Sequence, residues 1–173
     1  MNKIELTLGK FAIVDADDFD RVNQFKWCYN KNGKYPGYAE RKQHIGMKDG
    51  KQIQKRISMH RFIMGVEDRK VHIDHMNHDT LDNRKSNLRL CTNAENIRNQ
   101  KIRKGGSSKY KGVCKRRNNR VKAFEASIKF NKKTINLGMF AAELDAAIAY
   151  NKAALHYFGE FALLNDVSEN NLK

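Results

Sequence analysis

A chain of 173 residues has room for one domain or two small ones. Lys and Arg number 34 against 19 Asp and Glu, a formal charge of +15, which points to a polyanionic partner such as nucleic acid. With 40% hydrophobic residues and one proline the chain is expected to fold rather than stay disordered, and it carries no signal-peptide pattern and no apolar run long enough to span a bilayer. Cys28, Cys91 and Cys114 are scattered, with no CxxC pair. A zinc site of the usual spacing is therefore not supported, and a reducing cytoplasm is the expected location.

Ile4 to Leu8 alternates apolar and polar residues, Phe11 to Val14 does so in part, and Gly9-Lys10 reads as the turn of a hairpin. Asp15, Asp17 and Asp18 precede Phe19, Val22 and Phe25, apolar at helical spacing, and acids suit a helix N-terminus. Trp27-Cys28-Tyr29 and Tyr38 to Arg41 read as strands around a turn at Asn30 to Gly33. A turn at Lys48 to Lys51 leads to a strand from Gln52 to Ile57. Trp27, Tyr29, Tyr35 and Tyr38 are residues that stack on bases in other settings, but aromatic side chains on strands are first read as core. Met59 to Met64 reads as a short helix.

The stretch Val71 to Asn99 carries the chemistry. A β-like run, Val71-His72-Ile73, delivers Asp74 and His75 at its end. A polar loop with His78, Asp79, Asp82, Asn83, Arg84 and Asn87 follows. Thr92 with Glu95 three residues on is a capping box, which places Asn96 in the first turns of a helix. A carboxylate and an amide carbonyl are hard oxygen ligands suited to Mg²⁺ or a similar ion. A neighbouring histidine has the pKa of a neutral-pH general base. His72 shares a strand face with Asp74, as residues i and i+2 do. His60 is read as structural ahead of phosphate contact, and His44 and His78 have weaker claims.

The pattern Asp74-His75, Asp82-Asn83-Arg84, Ser86-Asn87-Leu88-Arg89 and Asn96 resembles HNH endonucleases of the phage homing type. The resemblance implies a ββα-metal fold with one divalent cation beside the scissile phosphate. It implies His75 as activator of the attacking water, Asp74 and Asn96 as metal ligands, and Asn87 as the brace of the loop. The family's frequent histidine at the helix position is Asn96 here, as in some homing members. Arg84 and Arg89 are candidates for holding a flanking phosphate, or equally for bracing the loop through an acid.

Lys101 to Ser108 has the glycine, serine and charge of a linker. Between Lys101 and Phe140 there are 13 cations and the single acid Glu125, so most of the excess charge lies there. Tyr110 to Cys114, Phe124 to Phe130 and Thr134 to Gly138 read as strands, with a tight turn at Asn131 to Lys133. Ala141 to Phe158 has a helical stripe, closed by Gly159. Tyr110-Lys111-Gly112-Val113, Leu137-Gly138-Met139-Phe140, Ala146 to Tyr150 and Phe158 to Asn165 resemble the plant ethylene-response-factor (APETALA-type) DNA-binding domain. That resemblance implies a three-stranded sheet in the major groove backed by a helix, with Lys111, Lys115, Arg117, Glu125, Ser127, Lys129 and Thr134 facing DNA. Phe124 replaces the family's usual tryptophan and the loop Lys115 to Ala123 differs, so base preference does not transfer.

The fold class expected is α+β: a β-rich N-terminal region with a ββα-metal unit, then a three-stranded antiparallel sheet packed on one helix. Domains are expected at 1–100 (nuclease, its ββα-metal motif at about 59–99), 101–108 (basic linker), 109–165 (ethylene-response-factor-like) and 166–173 (tail). The function expected is a metal-dependent, homing-type, phage-encoded HNH endonuclease. It hydrolyses phosphodiester bonds of double-stranded DNA in the host cytoplasm and nicks one strand as a monomer. Its cofactor is Mg²⁺, with Mn²⁺ the alternative, and no membrane is involved. The rival readings are a non-catalytic DNA-binding regulator and an RNA-binding protein.

Overall fold

A computed structural model describes residues 2–31, 36–102, 105–116, 121 and 123–168. Among them lie four small antiparallel sheets and four α-helices. Tyr35, residues 32–33 of the expected turn, Arg103 and Lys104 of the connector, Arg117 and residues 169–173 of the tail lie outside the described residues. Two compact units are present, Met1–Asn93 and Ala94–Lys173.

The first unit opens on an antiparallel hairpin of β1 (Asn2–Glu5) and β2 (Phe11–Val14). A 3₁₀ turn over Thr7–Gly9 stands where the sequence extends the first strand. In α1 (Ala16–Asn23) Asp17 and Asp18 occupy the first turn and Val22 is buried; Phe25 lies past the helix end. Strands β3 (Cys28–Asn30), β4 (Tyr38–Lys48) and β5 (Lys51–Ser58) form a sheet in that order. β3 pairs only with Tyr38 to Glu40, so from Arg41 onward β4 and β5 are a two-stranded ribbon. That ribbon is much longer than the two short strands expected. It is followed by α2 (Met59–Met64), stopped by Gly65 in the left-handed region at φ +66. Then β6 (His72–His75) pairs antiparallel with β7 (Leu88–Cys91). The core gathers Ile4, Leu6, Val14, Val22, Trp27, Met59, Ile63 and Leu88. Trp27 belongs to it, its indole N–H donating to the Val22 carbonyl at 2.9 Å.

The N-terminal elements hold the β6–β7 loop in place. Ile13 donates to the Leu81 carbonyl and accepts from the Asn83 N–H, both at 2.8 Å. Asp15 Oδ2 accepts from the Lys85 N–H at 2.7 Å, and the Thr80 hydroxyl donates to the Gly37 carbonyl at 2.5 Å. Asp18, buried, pairs with Arg21 at 2.6 Å and with Lys85 of the loop at 2.9 Å. Burial pushes the Asp18 pKa up, but the hydrogen bonds and charges of Lys85 and Arg21 outweigh it and hold the pKa below its ordinary value. A carboxylate whose folded pKa is depressed adds stability above its unfolded pKa, about 3.9, and that stability is lost as pH falls through the folded value. The melting temperature of the wild type is therefore expected to exceed that of Asp18→Asn at neutral pH. The gap should close below about pH 4 in a pH series of thermal melts; a gap that stays constant would show that the carboxylate charge is not what anchors the loop.

The second unit takes in α3 (Asn93–Asn99) from Ala94 onward, then β8 (Val113–Lys115), β9 (Phe124–Phe130), β10 (Lys133–Phe140) and α4 (Glu143–Phe158). The sheet order is β10-β9-β8, all antiparallel. Ala126 and Ile128 point to one face of β9 and are buried with Ala146, Ala147, Tyr150 and Ala154 of α4, whose small alanines let the helix lie close. The compact units divide ahead of the basic connector, and local contacts account for this. The Lys111 ammonium donates to the Arg98 and Gln100 carbonyls at the end of α3. The Arg98 guanidinium lies 5.4 Å from the Phe130 ring and 4.9 Å from that of Phe158. Burial pushes the Lys111 pKa down to about 8. The C-terminal segment returns to the same place: Asn165 accepts from the Lys111 N–H at 2.6 Å and donates to its carbonyl at 3.0 Å.

Candidate active site

Asp74 and His75 close β6, and the antiparallel register sets Asp74 opposite Arg89 and His75 opposite Leu88. Both are buried, 6% exposed each. Arg89 donates to Asp74 Oδ2 through Nε at 3.0 Å and Nη2 at 2.7 Å. His75 Nε2 lies 3.4 Å from Oδ1 of Asn83, an amide that is 1% exposed. A proton on Nε2 is the one that this oxygen accepts, which leaves the lone pair on Nδ1. The His60 ring meets His75 edge-on at 5.2 Å, and the half-exposed Tyr38 ring lies 5.5 Å from His60 and 6.0 Å from His75. Burial lowers the His75 pKa and outweighs Asn83, Asp74, Asp79 and Asp82, which act to raise it. His60 is pushed down to about 3 by burial, with the charges of His75 and Arg61 adding to it. Tyr38 is raised by burial and by the nearby Asp74 and Glu40 carboxylates. Both histidines are thus neutral at physiological pH, the state in which an imidazole can take a proton.

The loop between the strands is a hydrogen-bonded frame. Asn87 Oδ1 accepts from the Asn77 N–H at 3.0 Å, and its amide donates to the Asp82 carbonyl at 2.8 Å. Asp82, buried, accepts from Arg84 at 2.8 and 2.6 Å and from the Asn77 amide at 2.9 Å. The Arg84 hydrogen bonds, working against burial, hold the Asp82 carboxyl below its ordinary pKa. Arg84 and Arg89 therefore both stand on acids of this unit. From the sequence Asn83 enters only as a letter of the motif, His60 is read first as structural and Tyr38 as core, and Asn77 carries no signal. The burial of Asn83 is invisible in a run of polar residues, and Tyr38 comes from a strand more than thirty residues earlier.

A profile of the HNH endonuclease family matches residues 61–98, the span that runs from within α2 through β6, the loop and β7 into α3. A protein of Acanthamoeba polyphaga mimivirus, named as an uncharacterized HNH endonuclease, is 35% identical over 164 residues, 92% of this chain and 76% of the relative. The chain belongs to the HNH endonuclease family. It is accordingly a nuclease, of a family that generally uses a divalent metal and acts on DNA.

Among the described residues of this HNH endonuclease no group of three or more His, Cys, Asp or Glu is placed to hold a metal ion. A hard cation such as Mg²⁺ does not need one: it keeps several waters and binds through one or two carboxylates plus substrate phosphate. The chemistry of Asp74, a buried carboxylate near the end of β6, fits that demand. Asn96, half-buried, is the fourth residue of α3.

In the second unit, Glu125, Ser127 and Lys129 alternate with the buried Ala126 and Ile128 of β9 and so share the face away from α4. Lys129 stands opposite Thr134, which joins that face, and Ser127 opposite Asn136. Lys115 is exposed at the end of β8, and Glu125 is ion-paired to Arg116. Lys111, expected with this set, is engaged with the carbonyls that end α3. No helix among the described residues is long and apolar enough to cross a membrane.

Proposed function

We propose that this nuclease is a divalent-metal-dependent endonuclease of duplex DNA, of the homing type and phage-encoded, which nicks one strand as a monomer in the host cytoplasm. The observation that carries the reading is the neutral, buried His75 beside Asp74, its Nε2 turned to Asn83 Oδ1 at 3.4 Å. In this reading Nδ1 of His75 takes a proton from water, the water oxygen attacks phosphorus, and the bond to the 3′ oxygen breaks. Asn83 keeps His75 in the tautomer whose Nδ1 is basic. Asp74 and Asn96 would hold the cation, Mg²⁺ ahead of Mn²⁺, which supplies Lewis-acid charge to the phosphate oxygens. Asn87 keeps the loop in shape through its two backbone bonds. Arg84 and Arg89 act through Asp82 and Asp74, the acids they hold.

The C-terminal sheet is proposed to read duplex DNA as an ethylene-response-factor-like module over 109–165. Lys115, Arg117, Glu125, Ser127, Lys129 and Thr134 supply its contacting face. The single Asp74-His75-Asn96 set serves one phosphate, so a second cut needs a second protomer or a repositioning step. A supercoiled plasmid carrying a target selected from a random duplex library tests this with and without Mg²⁺. Open circles are expected to accumulate well before linear product, and only with the metal. Direct conversion to linear DNA at a rate rising as the square of enzyme concentration would replace the nicking monomer by a dimer. Equal cutting in excess chelator would remove the metal from the scheme.

A further inference from the structure

Between Lys42 and Arg56 the β4–β5 ribbon has no role in the core. From Lys42 to Arg56 every residue but Gly46 is exposed, so both faces of the ribbon stand in water. A two-stranded hairpin with no buried face is marginal by itself, and this one is held only at its base, where β3 joins β4. Its register adds to the cost. Lys48 stands directly opposite Lys51, and Lys42 opposite Arg56, whose Nε lies 3.5 Å from Glu40. Like charges facing each other across a strand pair repel. Residues 42–56 hold five cations and the single acid Asp49. Between the cations, Ile45 and Met47 are 56% and 60% exposed, and Gln43, Gln52 and Gln54 are exposed amides.

We infer that the β4–β5 ribbon is a DNA-reading arm that enters the major groove of the duplex, its lysines on the flanking phosphates. The inference rests on the reading of the chain as a nuclease of duplex DNA. A polyanion relieves the Lys48–Lys51 repulsion, and the relief appears as binding energy. The groove is about 12 Å wide and admits a two-stranded ribbon, and the arm is about 20 Å long. Glutamine amides pair with the adenine edge, and apolar tips meet thymine methyl groups. A bulge between His44 and Gly46, with Gly46 at φ +147, breaks the ladder midway. Such a bulge sharpens the twist that a ribbon following the groove needs.

The test is the binding of the full chain to duplex DNA, by fluorescence anisotropy in EDTA so that no cleavage intervenes, over a range of NaCl. Lys48→Gln/Lys51→Gln/Lys55→Gln changes only exposed side chains. It is expected to lower the slope of log K against log [salt] by about two to three and to weaken binding at least tenfold at about 0.1 M salt. Adenine N7 protection from diethyl pyrocarbonate, present with the wild type, is expected to be lost with Gln43→Ala/Gln52→Ala/Gln54→Ala. Wild-type binding with variants of unchanged slope and unchanged protection overturns the arm while leaving the nuclease reading intact. Variants that alter only the oligomeric state assign the ribbon to a second copy of the chain and overturn it equally. A wild type that binds no duplex at low salt overturns the duplex reading first and this one with it.

Discussion

His75→Ala is expected to lower the cleavage rate by roughly 10² to 10⁴, the usual contribution of a positioned acid–base group. Its affinity for DNA should stay that of the wild type. The side chain removed is neutral, since burial lowers its pKa, so no phosphate contact is lost. Single-turnover cleavage of a labelled duplex, beside anisotropy binding in EDTA, separates the two quantities. Asn83→Ala should also slow cleavage, but only by on the order of ten- to a hundredfold, the range for an orienting partner. It removes the oxygen that holds the His75 tautomer and leaves the base in place. If His75→Ala cuts at the wild-type rate, the base is another group, and His60, whose ring lies 5.2 Å away, is the first to test.

The parts of the site legible in the sequence are those whose signal is local. Asp74 and His75 end an apolar run, and β6, His72–His75, starts one residue after the β-like run Val71 to Ile73 and ends two residues beyond it. Thr92 and Glu95 bracket the start of α3 at Asn93. β7 was absorbed into the polar loop, because Leu88 to Cys91 is four residues long with Arg89 among them, and pairing to β6 is what makes it a strand. Of the β4–β5 ribbon the sequence shows the tip turn at Lys48 to Lys51, nearly all of β5 as Gln52 to Ile57, and the inner end of β4 at Tyr38 to Arg41. It does not show the outer part of β4, Lys42 to Met47, where two wet faces leave no hydrophobic alternation to read. Asn83 and Asp82 are legible as motif letters, but not the pairing of their loop with Ile13, which bonds to Leu81 and Asn83 from the N-terminal hairpin. That hairpin thus helps to shape the β6–β7 loop through contacts that no local pattern announces. Lys111 differs from these. The ethylene-response-factor resemblance sets it facing DNA, whereas its ammonium donates to the Arg98 and Gln100 carbonyls at the end of α3.

Gly112→Ala is expected to unfold the second unit at temperatures well below those the wild type withstands. Gly112 sits at φ +75, and a Cβ there would come within 1.9 Å of Tyr150 Cδ2 and 2.8 Å of the Ser127 carbonyl oxygen. The backbone cannot step aside. Ser127 N–H donates to the Gly112 carbonyl at 2.8 Å, and the preceding Lys111 is bonded at both its N–H and its carbonyl by Asn165. Tyr150 cannot move freely either, because it is packed in the core under β9. A positive φ costs a non-glycine residue about 1–2 kcal/mol, and overpacking a tight core about 1–3 kcal/mol more. For a unit of this size the sum corresponds to a drop in melting temperature on the order of 10–20 °C. Gly105→Ala is the control: φ is +96 but nothing lies within 4 Å of its Cβ, so only the backbone cost applies. The consequence reaches function through Lys111, just before Gly112 in the chain, whose ammonium holds the end of the helix that carries Asn96. Cleavage by Gly112→Ala should therefore fail at a lower temperature than cleavage by Gly105→Ala, in step with loss of the far-ultraviolet signal. Melting of the two variants within a few degrees of each other would mean that the Tyr150 ring yields, and that the approach of Gly112 to it does not decide the stability of the unit.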